Sequence, residues 1–343
     1  MIAITGGGTG GHLAIARSFC NQLKKQNKQA IFIGSTNGQD KMWFENDKNF
    51  DQKYFLQSSG VVNKKGLNKL KSFLNIIKLS FECKKIFKQN NIKAVISVGG
   101  YSAAPASLAA ILSNIPLFIH EQNAIVGKLN YILRPFANKF YSSYEKQPFA
   151  YPVSDKFFKA QRIRSDIKTI LFLGGSQGAK AINELAIKIA PTLKEKNINI
   201  IHQCGKDSLQ ALQTEYKELG FTDENLELFD FCNNIEEKMQ KADLAITRSG
   251  ASSLWELIAN ALPCIFIPFP YAAKNHQYHN AKFLQEKNLA KISTQIKNSA
   301  NDKEILKMIE EYDIKNTSEL LSNLTHQDNT DEIIKDIISK LND

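Results

Sequence analysis

The sequence of 343 residues lacks the features that mark several large classes of protein. Its five cysteines are scattered, with no Cys-x-x-Cys pair and no Cys/His cluster at zinc spacing, which excludes a disulfide framework or a zinc finger. No apolar run approaches the roughly 20 residues of a membrane-spanning helix, and Met1-Ile-Ala-Ile-Thr reads as a strand instead of a signal peptide. No Asp-x-Asp occurs, so a paired acidic metal motif is missing. We therefore expect reduced, mostly buried thiols in a cytoplasmic protein.

Acidic residues are scarce in the first 150 positions, which contain 7 Asp+Glu against 20 Lys+Arg. The remainder contains 27 acidic and 24 basic residues, so the basic excess lies in one half. Such a half indicates an anionic partner, either nucleic acid or a lipid surface, or else a solubilising lysine-rich surface. Because no nucleic-acid-binding motif accompanies the charge, we expect no nucleic-acid partner.

Short apolar runs alternate with amphipathic stretches along the whole chain. This order predicts right-handed βαβ units, and its restart near residue 169 predicts two doubly wound, Rossmann-like α/β domains that face each other across a cleft. We place the domains at 1–152 and 153–326, with a linker in 151–168, and expect a last helix at 327–343 to pack back on the first domain. The predicted strands are 2–5, 30–34, 94–98, 116–120, 169–175, 198–203, 226–231, 244–248 and 263–269.

Each predicted domain begins with a strand that runs into glycines, at 6–11 and 174–178. The first set matches the G-x-G-x-x-G dinucleotide fingerprint, but Ser35, Thr36 and Asn37 follow the second strand where an acidic residue would hold the ribose. P-loop spacing is also present, but His12 replaces the phosphate-binding lysine. The loop suits either tight helix packing or a ligand that approaches backbone N–H groups. Because its five glycines exceed what packing needs, we favour a ligand.

The stretch 246–283 collects polar side chains after two predicted strands. Ser252 and Ser253 open a helix, and the N–H groups at a helix N-terminus attract an anion. Ser176, in the second glycine turn, offers another hydroxyl to a phosphate, so the two anion sites favour a diphosphate. Glu256 falls in the first turn of the predicted helix, where it either stabilises the helix end or hydrogen bonds to a ribose.

Six segments of the chain carry a specific resemblance, in order along most of its length. They are GGGTGGH, SVGGYSAAPASLAA, HEQNAIVGKLN, FLGGSQGAKAIN, RSGASSLWEL and PFPYAAKNHQYHNA. Together they resemble the MurG family of peptidoglycan N-acetylglucosaminyltransferases, which have the GT-B fold. The resemblance implies inverting, metal-independent transfer of GlcNAc from UDP-GlcNAc to the MurNAc 4-hydroxyl of undecaprenyl-pyrophosphoryl-MurNAc-pentapeptide (lipid I). The product, lipid II, serves cell-wall synthesis, cell shape and division.

The resemblance also implies the location and the donor-binding residues. It implies no cofactor, and a peripheral position on the cytoplasmic side of the bacterial inner membrane. Glu256 would hold the ribose, Phe231 and the Cys232 backbone would cap and read the uracil, and the amides of Gln277 and Asn280 suit sugar hydroxyls. The predicted donor-binding set is Thr9, Gly10, Gly11, Asn123, Ser176, Phe231, Cys232, Ser252, Ser253, Glu256, Gln277 and Asn280.

An inverting transfer needs a base that takes the proton of the acceptor hydroxyl. His12 is a candidate because histidine titrates near neutral pH, and Glu121 and His120 are rivals. An equal alternative is that His12 binds a phosphate. Two departures from the family pattern affect these assignments: the segment after His12 is shorter, and Ser154 stands at an arginine position, so we carry no donor contact over to it.

The stretch 63–88 contains eight lysines and a broad apolar face. It is typical either of a core-packing helix with a solvated lysine face or of a segment that lies on anionic lipid. A polyprenyl-linked acceptor favours the second interpretation. The predicted membrane-contact residues are Lys64, Lys65, Lys69, Lys71, Phe73, Ile77 and Phe81.

Two other functions compete with a sugar transferase. A dinucleotide-dependent oxidoreductase would change absorbance with NAD(P)H, and the missing acidic residue argues against it. A non-catalytic protein that binds membranes or nucleic acid would bind without turnover.

Overall fold

The computed structural model describes residues 1–60, 66–145, 150–175, 178–295, 301–327 and 329–342. The chain divides into two compact units, Met1–Val153 together with the last helix of the chain, and Ser154–Gln327. Each unit holds a parallel sheet covered by helices, so the predicted α/β class with two doubly wound sheets is confirmed. Within these ranges, no helix combines the length and the apolar character needed to cross a membrane.

The strands described in the first unit are β1 (Ile2–Thr5), β2 (Ala30–Ser35), β3 (Gln52–Leu56), β4 (Ala94–Ser97), β5 (Leu117–Glu121) and β6 (Lys139–Ser142). They form one parallel sheet in the order β3-β2-β1-β4-β5-β6. The central strand β1 is fully buried, with Ile4 opposite Phe32 on one side and Ile96 on the other. The loops after β1 and β4 therefore begin side by side at the carboxyl edge, the switch point at which such sheets bind ligands.

The helices described in the first unit are α1 (Gly10–Lys25), α2 (Asp40–Phe44), α3 (Gly66–Gln89), α4 (Ala104–Leu112), α5 (Lys128–Leu133) and, from the end of the chain, α14 (Asn329–Asn342). One face of the sheet packs against α3 and α4, where Phe87 and Ala106 share a core with Ile119. On the other face, Phe19 of α1 packs edge-on against His120. Helix α14 packs against α1.

The strands described in the second unit are β7 (Thr169–Leu173), β8 (Asn199–Gln203), β9 (Leu226–Phe229), β10 (Leu244–Thr247), β11 (Cys264–Phe266) and β12 (Lys291–Ile292). Their order is β12-β11-β10-β7-β8-β9, and all pairs are parallel. The switch point of this sheet lies between β7 and β10. The helices are α6 (Asp155–Lys159), α7 (Lys180–Glu195), α8 (Leu209–Glu218), α9 (Ile235–Lys241), α10 (Ala251–Ala259), α11 (His276–Glu286), α12 (Asp302–Glu310) and α13 (Ile314–Ser322).

The segment 151–168, predicted to be a linker, is packed into the structure instead. The Arg164 side chain has no exposed surface. Its guanidinium donates to the carbonyls of Ala242 and Met239 at 3.1 and 2.8 Å and to Asn260 Oδ1 at 2.5 Å. A buried cation is tolerated because it is fully hydrogen-bonded, so this arginine fixes the entry of the chain into the second unit. Burial lowers the pKa of Arg164 to about 9.

Candidate functional site

The glycine loop after β1 lies at the switch point of the first sheet. Its positions 6–8 are enclosed by protein on three sides. A Cβ on Gly6 would overlap the carbonyl of Gly99, and a Cβ on Gly7 would overlap the carboxylate of Asp40. A Cβ on Gly8 would lie 2.7 Å from the ring of Tyr101. Packing therefore requires these three glycines, whereas a Cβ at Gly10 would meet its neighbours only at 3.4 Å or more. Its role toward a ligand remains a prediction.

No acidic residue follows β2 directly, but Asp40 lies five residues after Ser35, the last residue of that strand, and its side chain faces inward. Asp40 has no exposed surface. Its Oδ1 accepts a hydrogen bond from the Gly8 N–H at 2.5 Å, and its Oδ2 accepts one from the Ser35 N–H at 2.8 Å. A ribose has no access to this carboxylate, which argues against a dinucleotide site in the first unit. Sequence reasoning missed Asp40 because it looked only directly after the strand.

His12 lies in the first turn of α1, which begins at Gly10. The extended residue Thr9 precedes the helix, and its Oγ1 lies 2.9 Å from His12 Nδ1. The imidazole edge also approaches Gly99, where a Cβ would lie 3.3 Å from Nε2. The half-buried histidine therefore lies between the loops that follow β1 and β4.

Glu121 ends β5 with its carboxylate already committed to protein donors. Oε2 accepts from Gly127 N–H at 2.8 Å and from Asn130 Nδ2 at 2.9 Å, and Oε1 accepts from Asn123 N–H at 3.0 Å. Because the side chain is 3% exposed and a carboxylate has about four lone-pair positions, little acceptor capacity remains. Glu121 therefore shapes the loop that carries Asn123, and its candidacy as the base stays a prediction that this geometry does not favour.

His120, the other rival, is 1% exposed and packs edge-on between the rings of Phe19 and Tyr151. Burial, with a smaller contribution from His12, lowers its pKa to about 3. The imidazole is neutral at physiological pH, and a substrate hydroxyl has no access to it. Of the three base candidates, the structure favours His12, which is half-buried at the carboxyl edge of the sheet.

The second unit brings polar groups together where β10 ends. Ser252 and Ser253 are half-buried in the first turn of α10. Ser249, just before the helix, is fully buried, and its Oγ has no hydrogen-bond partner among the described residues. Arg248 Nη1 donates to the carbonyls of Ile267 and Pro268 at 2.9 and 3.2 Å. These donors at a helix N-terminus suit an anion. Sequence reasoning assigned Arg248 and Ser249 no role, although both belong to the RSG segment.

Ser176, predicted to serve the donor phosphates, lies outside the described residues. The adjoining Gly178 has φ +74°, and a Cβ there would overlap the carbonyl of Cys204. This glycine is therefore required by backbone packing between the turn and the end of β8.

Glu256 is the sixth residue of α10, beyond its first turn, which holds no acidic residue. The prediction that it lies in the first turn is wrong because the helix begins only at Ala251. Burial raises the pKa of Glu256 to about 7, with Lys156 opposing the shift and Glu236 adding to it. Lys156 and Glu236 form an ion pair at 2.6 Å.

Gln277 and Asn280 occupy different positions in α11. Gln277 is half-buried, and its Oε1 accepts from the Phe269 N–H at 2.9 Å, which orients the amide NH₂ group away from that contact. Asn280 has no exposed surface, and its Nδ2 donates to the Ser249 carbonyl at 3.2 Å. This hydrogen bond braces the start of α10, and the contact of Asn280 to a sugar hydroxyl stays a prediction.

The ring of Phe231 lies just after β9 with 56% of its surface exposed, and the neighbouring Cys232 is half-buried. An exposed aromatic face beside a strand end can stack on a planar base. The other four cysteines are buried and none is in a disulfide, as predicted.

Helix α3 leaves large apolar side chains exposed on the face opposite the core. Phe73 and Phe81 are 53% and 55% exposed, and Ile77 is half-buried. Lys69 and Lys71 are also exposed, whereas Lys64 and Lys65 lie outside the described residues. A helix that only packs on a core buries most of its apolar residues, so this exposed face needs another explanation. Its other exposed members are Leu67, Leu70 and Leu74.

Comparison with known proteins covers both units. Residues 2–142 match the glycosyltransferase family 28 N-terminal domain, and residues 169–339 match the C-terminal domain of that family. The UDP-N-acetylglucosamine--N-acetylmuramyl-(pentapeptide) pyrophosphoryl-undecaprenol N-acetylglucosamine transferase of Campylobacter fetus subsp. fetus (strain 82-40) is 56% identical over 341 residues, which are 99% of this chain and 100% of the relative.

Two further similarities are consistent with that match. The enzyme of the same name from Campylobacter jejuni (strain RM1221) is 55% identical over 334 residues, 97% of this chain and 96% of the relative. The crystal structure of Acinetobacter baumannii MurG superposes with a TM-score of 0.78 at 28% identity, and 99% of each chain is covered.

Proposed function

The chain belongs to glycosyltransferase family 28, and on that premise we propose that it transfers GlcNAc from UDP-GlcNAc to the MurNAc 4-hydroxyl of undecaprenyl-pyrophosphoryl-MurNAc-pentapeptide, with inversion. The observation that carries this proposal is the 56% identity, over nearly the full length of both chains, to a transferase of that name. The two switch-point sites support it chemically, since one presents a histidine and the other presents donors for an anion.

For the donor, we propose binding at the carboxyl edge of the second sheet. The diphosphate accepts hydrogen bonds from the N–H groups and hydroxyls at the start of α10, where the helix dipole favours negative charge. Ionised Glu256 accepts hydrogen bonds from the ribose hydroxyls, and the exposed ring of Phe231 stacks on the uracil. The NH₂ group of Gln277 donates to a sugar hydroxyl. As the glycosidic bond breaks, the fixed N–H dipoles stabilise the charge that develops on the leaving UDP.

For the acceptor, we propose that His12 takes the proton of the attacking hydroxyl. An Nδ1–H that donates to Thr9 Oγ1, at 2.9 Å, places the basic lone pair of the imidazole on Nε2. The hydroxyl oxygen then attacks the anomeric carbon from the face opposite the leaving UDP, which inverts the configuration. Asn123, held by Glu121, is proposed to contact the GlcNAc ring.

A transfer assay with UDP-[¹⁴C]GlcNAc and a soluble lipid I analogue tests this function. Transfer of label to the analogue is expected, together with release of UDP. Hydrolysis of the donor without a labelled disaccharide product, or an absorbance change with NAD(P)H, would contradict it.

We predict full activity in excess EDTA. The reason is that no Asp-x-Asp occurs in the chain and that, within the described ranges, no three His, Cys, Asp or Glu side chains are grouped as metal ligands are. The transfer rate is measured after dialysis against EDTA, with a magnesium-dependent kinase as the control for chelation. A loss of turnover that magnesium or manganese restores would contradict this prediction.

We further propose that the exposed face of α3 attaches the protein to the cytoplasmic leaflet of the inner membrane. The proposed acceptor has a polyprenyl tail and therefore stays in the bilayer. Exposed aromatic and leucine side chains beside lysines suit an interface with anionic lipid, where each lysine contributes about 1 kcal/mol. Attraction of this kind decays over about 10 Å at 0.1 M salt.

Replacement of Lys64, Lys65, Lys69 and Lys71 by glutamate is expected to weaken binding to vesicles that contain phosphatidylglycerol, because it reverses four charges in the lysine-rich stretch 63–88. Turnover of a short-chain soluble acceptor should stay unchanged, since chemistry and attachment use different residues. Vesicle sedimentation at low and high salt measures the first effect.

The matched control carries four lysine-to-glutamate changes at exposed positions of the second unit and should sediment like the wild type. These positions are Lys217, Lys287, Lys303 and Lys315. If both variants lose binding equally, net charge and not this face attracts the protein to lipid.

A further inference from the structure

The carboxylate of Asp40 joins two segments that are distant in sequence. One oxygen accepts the N–H of Gly8, in the loop after β1, and the other accepts the N–H of Ser35, at the end of β2. The side chain has no exposed surface. A buried carboxylate is costly unless its oxygens are hydrogen-bonded, so this one is stable only while the glycine loop stays in place against it.

The glycine loop needs such a support because the backbone of its glycines can adopt many conformations. Gly6 and Gly8 have φ values of +122° and +86°, and glycine loses more conformational freedom on ordering than any other residue. Tyr101 supports the loop as well. A Cβ on Gly8 would lie 2.7 Å from its ring, and its Oη donates to the Asn37 carbonyl at 2.7 Å.

A displacement of Gly8 would also displace Thr9 and, through it, the imidazole of His12. Thr9 follows Gly8 in the chain, precedes the first residue of α1 and makes the side-chain contact to His12. A displacement of about 1 Å of a catalytic group can cost about 100-fold in rate.

We propose that Asp40, with Tyr101 as its counterpart, is a positioning residue that holds the glycine loop and thereby sets the position of Thr9 and His12 for transfer. This inference rests on the proposed function. It gives Asp40 a role in transfer without contact to the donor or the acceptor. The buried carboxylate takes the place that an exposed, ribose-binding acid would have in a dinucleotide-binding sheet.

Asp40→Asn tests the proposal. An amide has one accepting oxygen, so it satisfies one of the two N–H groups and turns an NH₂ group toward the other. The expected result is a kcat lowered by about 10- to 100-fold, with a donor KM within about twofold of the wild type because the proposed contacts to the nucleotide part of the donor lie in the other unit. Hydrogen exchange should accelerate in the peptide that contains Gly8.

The matched control is Asp51→Asn. Asp51 Oδ2 accepts the N–H of Ala30 at 2.8 Å, at the opposite end of the same strand β2. This variant makes the same change of carboxylate to amide on the same strand but leaves the glycine loop untouched, so its kcat should equal that of the wild type.

The outcomes separate this proposal from the proposed function. A wild-type protein without transfer activity would contradict the function itself. With an active wild type, an unchanged kcat in Asp40→Asn, or an equal loss of kcat in Asp51→Asn, would overturn the positioning role. If Asp40→Asn does not fold, Tyr101→Phe carries the test, because it removes the hydroxyl contact on the other side of the loop. A several-fold lower kcat at constant donor KM is then expected, and a wild-type kcat overturns the proposal.

Discussion

Replacement of His12 by alanine is expected to lower the kcat of transfer by about 10²- to 10⁴-fold, the usual contribution of a general base. The structure favours this residue because both rival bases are less accessible. The Glu121 carboxylate accepts hydrogen bonds from backbone and amide donors, and His120 is buried between aromatic rings. The measurement is single-turnover transfer at saturating donor and acceptor between pH 5.5 and 9. The variant should stay slower than the wild type across this pH range.

A second variant separates catalysis from phosphate binding. Glutamine at position 12 can still hydrogen bond to a phosphate but cannot act as a base at neutral pH. If His12 is the base, His12→Gln should be as slow as His12→Ala, with an acceptor KM close to the wild-type value. If His12→Gln instead restores the rate, or if both variants change only the acceptor KM, His12 binds a phosphate and the base must be sought elsewhere.

Replacement of Glu256 by alanine is expected to raise the donor KM by about 10- to 100-fold while the acceptor KM stays unchanged. A hydrogen bond to a charged group is worth about 1.5–3 kcal/mol, and 1.4 kcal/mol corresponds to a factor of ten. Glu195→Ala, at the far end of α7, is the control and should keep both values. An unchanged donor KM in Glu256→Ala would show that another residue holds the ribose.

The raised pKa of Glu256, about 7 because of burial, makes donor binding and stability respond oppositely to pH. Ribose hydroxyls donate to the ionised carboxylate, so the wild-type donor KM should rise as the pH falls from 8 to 6. The folded state holds this proton more tightly than the unfolded state, whose carboxyl has the ordinary pKa of 4.5. The associated stability is therefore complete below pH 4.5 and is lost as the pH rises through 7.

Glu256→Gln should consequently melt at a higher temperature than the wild type at pH 8, where it removes a poorly solvated charge, and at the same temperature at pH 4.5. Thermal unfolding of both proteins at the two pH values, with Glu195→Gln as the control, measures this difference. Equal melting temperatures at pH 8 would mean that the carboxylate is better solvated than its position in α10 indicates.

The central strands and the edge strand β9 were predictable from the sequence, whereas the edge strands β3, β6 and β12 were not. Strands such as β1 and β10 are buried on both faces, so they read as continuous apolar runs. At the sheet edges, β3 reads QKYFL and β6 reads KFYS, in which polar residues interrupt the apolar pattern. Strand β12 has only two residues, too few for any periodicity.

The site was predictable as a set of loops but not as a set of contacts. Parallel sheets bring loops at strand ends to one edge, so the motifs could be assigned to the loops at that edge. The commitment of Glu121, the burial of Asn280 and the inward turn of Asp40 depend on residues that approach from other elements. The place of Glu256 in its helix depends on where the helix starts, and Gly250 stays extended before it.

The last helix of the chain has a consequence for the order in which the protein forms on the ribosome. Helix α14 contributes the fully buried Ile333, Ile334 and Ile337 to the unit that contains the N-terminus. It also supplies Asp331, which accepts from Gln22 of α1 and from Gln26, just after that helix, at 2.5 and 2.7 Å. The first unit is thus completed by a helix that follows the second unit in the chain and is therefore synthesised after it. Until α14 is made, the apolar surface of α1 that it covers is exposed to solvent. A chain truncated before α14 would keep this surface accessible to chaperones and proteases.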